Sequence, residues 1–239
     1  MELIAELPPQ RTLERLLAVS KAIASAADAI DVPDAPMGRP APSSAVLSAM
    51  LRSLLAPPPD VIAHIRLLDV SELGAVNLAK ALELAGVRRL LLLRGDTPTM
   101  GDPCMKEPEK VMALVRSGGL NMRLGLLLSL ARPREDVMRR VAAGADFYLV
   151  TRPWRSPLLS DVAREVRRSG GRTYVYLVVE THRNARALVG VPQDERVRGQ
   201  ELIEAIRSLS GVVDGVVISS PGDREALIES LRAARAATG

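Results

Sequence analysis

The residues of this sequence that could do chemistry stand where short apolar runs stop. Glu6 closes ELIAE, and Asp31 and Asp34 follow a second run. His64 to Asp69 lie in and after a third, and Arg94-Gly95-Asp96 ends RRLLLL. Ser129, Thr151-Arg152, Glu180 to His182 and Ser219-Ser220 close the later runs. Several of these are carboxyl groups, and Glu6 and Asp96 among them could serve as acid and base. The Arg94-Gly95-Asp96 step is the sharpest, because a glycine between two charges lets backbone approach a ligand while cation and anion address different parts of it. An ordinary turn holding an Arg–Asp pair is the other reading of the same three residues.

Each of the remaining residues has a plainer reading beside the chemical one. A histidine inside an apolar strand, as His64 is in AHIRLL, reads first as a satisfied structural residue. His182 has no second His or Cys at a ligand spacing, so no metal site is expected. Glu6 could pack beneath the core, yet Leu7 and the stiff Pro8-Pro9 follow it directly, which puts it at a strand exit and tilts it toward function. Arg139-Arg140 could be a solvated helix face. Trp154 and Cys104 suggest nothing beyond packing.

These residues must be positioned by regular elements, and the hydropathy pattern supplies eight pairs of them. Strands are expected near residues 2–7, 28–32, 61–68, 89–94, 122–129, 146–151, 173–180 and 212–219. Unbroken apolar stretches such as Leu90 to Leu93 and Val175 to Val179 are what parallel strands covered on both faces require. Between them lie helical stripes, one of them Leu13, Leu16, Leu17, Val19 and Ile23. Gly86, Gly144 and Gly170-Gly171 fall where a helix ends before the next strand. Eight β/α repeats in 239 residues describe a single TIM-barrel domain spanning residues 1–239. An open doubly wound sheet is the rival, but no glycine fingerprint follows the first strand, where Pro8-Pro9 stands instead. In a barrel the C-terminal strand ends build the active site, which is where the polar residues above collect.

Composition narrows the function. With 47% hydrophobic residues and 25% charged, the chain can bury a substantial core. Its net charge of +4 is spread among acids, and only 2% of residues are aromatic. Neither a cationic run nor stacking platforms for nucleic acid are present, and the basic balance suits an anionic cofactor or substrate. One cysteine among 239 residues points to a reducing compartment, the cytoplasm. No apolar run nears the ~20 residues of a membrane span, and the acidic start MELIAELPPQ is unlike a secretory signal.

The segment AHIRLLDVSELGAVNLAKALELAGVRRLLLLRGDTP resembles the central block of the methylenetetrahydrofolate reductases: a third-strand histidine, a following Asp, a glycine helix end and an Arg-Gly-Asp-x-Pro strand end. IAELPP is similar to that family's first-strand glutamate with double proline. DAIDVPDAPMGRP resembles the second-strand loop of its corrinoid-pathway branch, and RRVAAGADFYLVTRP its basic pair, Ala-Gly turn and sixth strand. The likeness spans most of the chain and suggests a short, corrinoid-pathway or archaeal-like member.

The resemblance implies a cytoplasmic TIM-barrel oxidoreductase of one-carbon metabolism. It would be a flavoprotein holding FAD, with FMN as the alternative, and would reduce a methylene-tetrahydropterin, folate or an archaeal analogue, to the methyl form. Glu6 matches the acid that opens the methylene ring, and Asp96 the carboxylate that tunes flavin and pterin. His64, Arg94, Gly95 and Asp96 match cofactor-contacting positions, and Arg139 and Arg140 the basic pair near the phosphates. The substrate position that carries glutamine in the family falls on Thr151 or Arg152. Leu7 alone separates Glu6 from the double proline, where the family often has two residues. Candidate partners are an electron-donor or methyltransferase protein and a second copy of the chain; nucleic acid and membrane are not expected. Two other classes stay open: a non-catalytic subunit that holds a pterin or docks on a methyltransferase, and a flavin-free barrel lyase using Glu6 and Asp96, for which no strand-end lysine offers a Schiff base.

Overall fold

The computed structural model describes residues 1–104 and 106–238. Strands β1 (Glu2–Glu6), β2 (Ala29–Val32), β3 (Val61–Arg66), β4 (Arg89–Leu93), β5 (Arg123–Ser129), β6 (Phe147–Thr151), β7 (Arg172–Val179), β8 (Arg196–Val197) and β9 (Gly215–Ser219) alternate with helices. The helices are α1 (Leu13–Ala24), α2 (Ser44–Leu54), α3 (Glu72–Leu84), α4 (Pro108–Ser117), α5 (Arg134–Val141), α6 (Leu158–Arg168), α7 (Gln200–Leu209) and α8 (Arg224–Thr238). Local chemistry sets their limits. Thr12 accepts the Arg15 N–H at the start of α1, and Ser71 accepts the Gly74 N–H at the start of α3. Helix α6 buries Leu159, Val162, Ala163 and Val166, a repeat of three and four that lays one stripe on the sheet.

The strand order is β6-β5-β4-β3-β2-β1-β9-β7, and β6 also pairs with β7. Eight parallel strands thus form a closed ring with helices between them, the (β/α)8 barrel. The two-residue β8 stands apart. It pairs with Val178 and Val179, past the four residues of β7 that meet β6. Among the described residues no helix is long and apolar enough to cross a membrane.

Two compact units divide the chain: Met1–Ile30 with the residues from Leu128 onward, and Asp31–Leu127. In the first, β1 and β7 both pair in parallel with β9, so that Gly215 stands opposite both Glu2 and Tyr174. A Cβ on Gly215 would lie 2.5 Å from the Glu2 carbonyl oxygen and 3.0 Å from the Tyr174 ring, so only glycine fits between them. In the second unit β4 pairs with β3 and β5, and Leu90, Leu91 and Leu92 are fully buried. Its loops are fastened to one another as well. The Thr99 N–H and hydroxyl both donate to the Gly38 carbonyl, and a Cβ on Gly38 would lie 2.1 Å from the Thr97 oxygen.

The observed strands lie close to those expected, with two informative differences. Leu67 and Leu68 are buried but outside β3, because Arg66 pairs with Asp69 three residues on and turns the chain. Val212 and Val213 precede β9, since the Val213 N–H still bonds the Leu209 carbonyl at the end of α7.

Candidate active site

Glu6 is the last residue of β1, and Ser219 is the last of the adjacent β9. The Ser219 hydroxyl donates to Glu6 Oε1 at 2.8 Å, and the Tyr176 phenol of β7 donates to Oε2 at 2.9 Å. Alternation explains the set. Glu2 and Glu6 share one face of β1, Tyr174 and Tyr176 follow the same twofold period on β7, and Tyr174 donates to Glu2 at 2.8 Å as Tyr176 does to Glu6. The two carboxylates differ in position along the strand. Glu2 lies at the N-terminal end with Arg172 at 3.7 Å, whereas Glu6 lies at the C-terminal end, half-buried, where barrel chemistry takes place. A carboxyl group held by two hydroxyls can keep a fixed aim and pass a proton, because both neighbours accept as well as donate. Tyr176 was not among the sequence-derived candidates. The signal available was two of only three tyrosines in the chain, two residues apart on one strand.

The end of β6 carries Thr151, half-buried, and Arg152, whose backbone takes the left-handed φ of +40°. Arg152 Nε lies 3.8 Å from Glu195 Oε2 on the loop after β7. Arg155 ties the same two loops more firmly. Its guanidinium stacks on Trp154 at 4.1 Å and bonds the Asp194 carbonyl and the Glu201 carboxylate. Glu195 is a functional candidate that sequence reasoning missed, since it lies in a loop without periodicity. Burial is the largest influence on its carboxyl and pushes it above the usual range; Arg152 opposes that and Asp194 adds to it.

Glu180, by contrast, is fully engaged in structure. It bonds Arg196 at 3.1 Å and Arg198 at 2.7 Å, and the Arg198 bond foremost, with Arg196, holds its carboxyl below the usual range. Its N–H donates to the Val197 carbonyl, so Glu180 fastens β8 to β7; His182, two residues on, is exposed. Asn184, 1% exposed, braces the same loop through the Val179 carbonyl and the Ser220 hydroxyl. Asp223 accepts from Thr181 Oγ1 at 2.8 Å and caps α8 through the Ala226 N–H at 3.1 Å.

Of the basic pair on α5, Arg139 is exposed and bonds Asp136 one turn away, and Arg140 is half-buried. A one-turn surface pair is worth only about 0.3–0.5 kcal/mol, so Arg139 can turn readily to a phosphate. Both stand in the last turn of α5, where the Tyr148 hydroxyl near the start of β6 donates to the Arg140 carbonyl, and consecutive side chains on a helix point apart. The pair therefore lies toward the N-terminal strand ends, away from Glu6, and in placement does not fit the phosphates of an FAD whose ring lies beside Glu6.

In the second unit His64 Nε2 lies 2.7 Å from Asp31 Oδ1, with side chains 5% and 0% exposed. Ser44 supports the pair, accepting the His64 N–H at 2.9 Å and donating to the Val32 carbonyl at 2.7 Å. Asp34 accepts the N–H groups of Ser44 and Arg66. Arg94 and Asp96 are exposed on the loop that leaves β4. Gly95 between them has φ +87°, and a Cβ there would lie 2.7 Å from Arg66 Cγ. The glycine's open side is thus filled by Arg66, which is 1% exposed and bonds Asp69. Gly95→Ala should cost about 2–4 kcal/mol, left-handed strain and overpacking together. Urea unfolding measures it, and a loss below roughly 0.5 kcal/mol would show that Arg66 moves aside freely. Among the described residues no group of three or more His, Cys, Asp or Glu side chains could hold a metal ion.

No protein-family model matches the chain, and no curated protein matches it. Solved structures match it along nearly its whole length. An uncharacterized protein from Clostridium thermocellum that binds two copies of 5-methyl-5,6,7,8-tetrahydrofolic acid aligns with TM-score 0.63 and 10% identity, over 98% of this chain and 93% of that one. The tryptophan synthase α-subunit of Pyrococcus furiosus aligns with TM-score 0.62 and 12% identity, over 98% and 97%. A 3-hexulose-6-phosphate synthase aligns with TM-score 0.56 and 17% identity, over 98% and 99%. At these identities the likeness establishes the barrel fold.

Proposed function

We propose that this chain is a barrel enzyme that acts on a reduced pterin, folate or an analogue, with Glu6 as the residue that gives and takes the proton. The observation that carries this reading is the Glu6 carboxyl held between the Tyr176 and Ser219 hydroxyls at the C-terminal strand ends. The reductase resemblance supports the substrate class, and so does the barrel from Clostridium thermocellum that binds a methylated tetrahydrofolate. In the reductive form of the reaction, Glu6 protonates the amine that leaves the bridging methylene carbon, opening the ring to an iminium that a hydride converts to methyl. A reduced flavin, the cofactor that the resemblance implies, would supply that hydride and leave oxidised.

A second reading, a flavin-free barrel lyase, is the one the solved structures lean toward: two of the three are synthases in name. Two residues matched to the cofactor also have partners within the chain, His64 in Asp31 and Gly95 in Arg66. Against a sugar-phosphate substrate stands Asp223. Barrels that bind phosphate often seat it in the loops after the last two strands, at a helix N-terminus. Here no extra helix stands between β9 and α8 among the described residues, and a carboxylate, Asp223, already caps α8.

Titration separates the readings. The protein should bind 5-methyltetrahydrofolate saturably and should show no comparable affinity for a ketose phosphate. Saturable quenching of FAD fluorescence would select the reductase form, and its absence the flavin-free one. Failure to bind any reduced pterin would overturn the substrate class.

A further inference from the structure

We propose that Glu195 is the specificity-determining residue for a 2-amino-4-oxopyrimidine edge, its carboxylate accepting from the ring N3–H and the exocyclic 2-amino group of the bound pterin. This rests on the pterin reading above and names the side chain that recognises the ring.

Glu195 closes the short 3₁₀ turn Gln193–Glu195 on the loop after β7. Its side chain is 12% exposed, and its one charged partner among the described residues, Arg152, stands 3.8 Å away, beyond hydrogen-bond reach. The side chain is therefore mostly covered, while its carboxylate oxygens keep some contact with solvent and accept no hydrogen bond from the described residues. Its oxygens are thus open to two incoming donors, which would displace only water.

The turn is held on both sides. Arg155 grips the Asp194 carbonyl before it, and Arg196 after it is tied to Glu180 and to the carbonyls of Leu188 and Val191. A carboxylate so placed is organised in advance of its ligand. Its location also suits the proton chemistry. Strand β7 sends Tyr176 to Glu6 and runs on into the loop that carries Glu195, and Arg152 directly follows the neighbouring β6. Both carboxylates belong to the C-terminal end of the same run of adjacent strands.

The charges nearby select the kind of ligand. Two parallel N–H donors match the two oxygens of a carboxylate, the geometry of a fork on a fork. A cationic fork such as a guanidinium would be repelled by Arg152, whereas the pyrimidine edge of a pterin offers the same two donors without a charge. Partial burial pushes the Glu195 carboxyl upward, so donors brought by a ligand would favour its ionised form.

The test compares two ligands on three proteins: 5-methyltetrahydrofolate, and its analogue with hydrogen in place of the 2-amino group, against wild type, Glu195→Gln and Glu195→Ala. Wild type should bind the analogue about 10- to 100-fold more weakly, as expected when a bond to a charged group is lost. In both variants that ratio should collapse to below about threefold, chiefly through weaker binding of the natural ligand. Equal weakening of both ligands by the substitutions, or a wild-type ratio near one, would overturn the assignment while leaving pterin binding established. Absence of binding of either ligand to wild type would instead overturn the pterin reading, and this inference with it.

Discussion

Glu6→Gln should slow the conversion of a methylene-tetrahydropterin by about 10²–10⁴, the usual worth of a positioned general acid, while the Kd for the reduced pterin stays within roughly threefold. The amide keeps the length and shape of the side chain. Its oxygen can still accept from Tyr176 or Ser219, and its NH₂ can donate to the hydroxyl oxygen of the other, so the three side chains can stay together. What the amide cannot do is deliver a proton. The loss therefore falls on kcat and on kcat/KM, with KM little changed, as for an interaction made chiefly in the transition state. Tyr176→Phe removes one of the two hydroxyls and should slow turnover by a smaller factor, on the order of 10, by loosening the aim of Glu6. If Glu6→Gln turns over as fast as wild type, Glu6 serves the packing of β1 against β9 and the proton comes from another group.

The elements were legible because apolar runs of five to eight residues had glycines and polar residues at their ends. Leu90 to Leu93 could be read as a strand from four letters, and the structure buries the first three completely. Closure of the ring was legible only as a count of eight. The strand ends were legible too, so Glu6 and Ser219 were singled out as candidates. Their bond to each other was hidden, since it joins residues 213 apart. Tyr176 lay unread for the same reason, as its partner is 170 residues away. Gly95 shows a different limit. Its type announces a close approach, but what approaches is Arg66 of the chain itself. The loop after β7 was the least legible part. It is held by Glu180, Arg196 and Asn184 through side-chain bonds that leave no periodic trace, and it contains both β8 and Glu195.

The pair of His64 and Asp31 separates a structural role from a cofactor role. Both side chains lie at or below 5% exposure, 2.7 Å apart, and Ser44 joins the His64 backbone to the Val32 carbonyl beside them. Asp31→Ala removes the acceptor at His64 Nε2 and opens a cavity where water has little access. Breaking one side of a buried pair costs about 3–5 kcal/mol. For a chain of this length that corresponds to a fall in Tm of roughly 6–20 °C, at about 2–4 °C per kcal/mol. Replacing both residues with leucine should recover a large part of the loss, because no polar group of the pair is then left buried and a well-filled apolar pair is often as stable as the ionic one. The binding readout gives the second half of the test. A structural pair predicts that the double variant regains stability and binds FAD and reduced pterin as wild type does. A double variant that regains its Tm yet has lost affinity for FAD by tenfold or more would place the His64–Asp31 pair against the cofactor, as the reductase resemblance implies for His64.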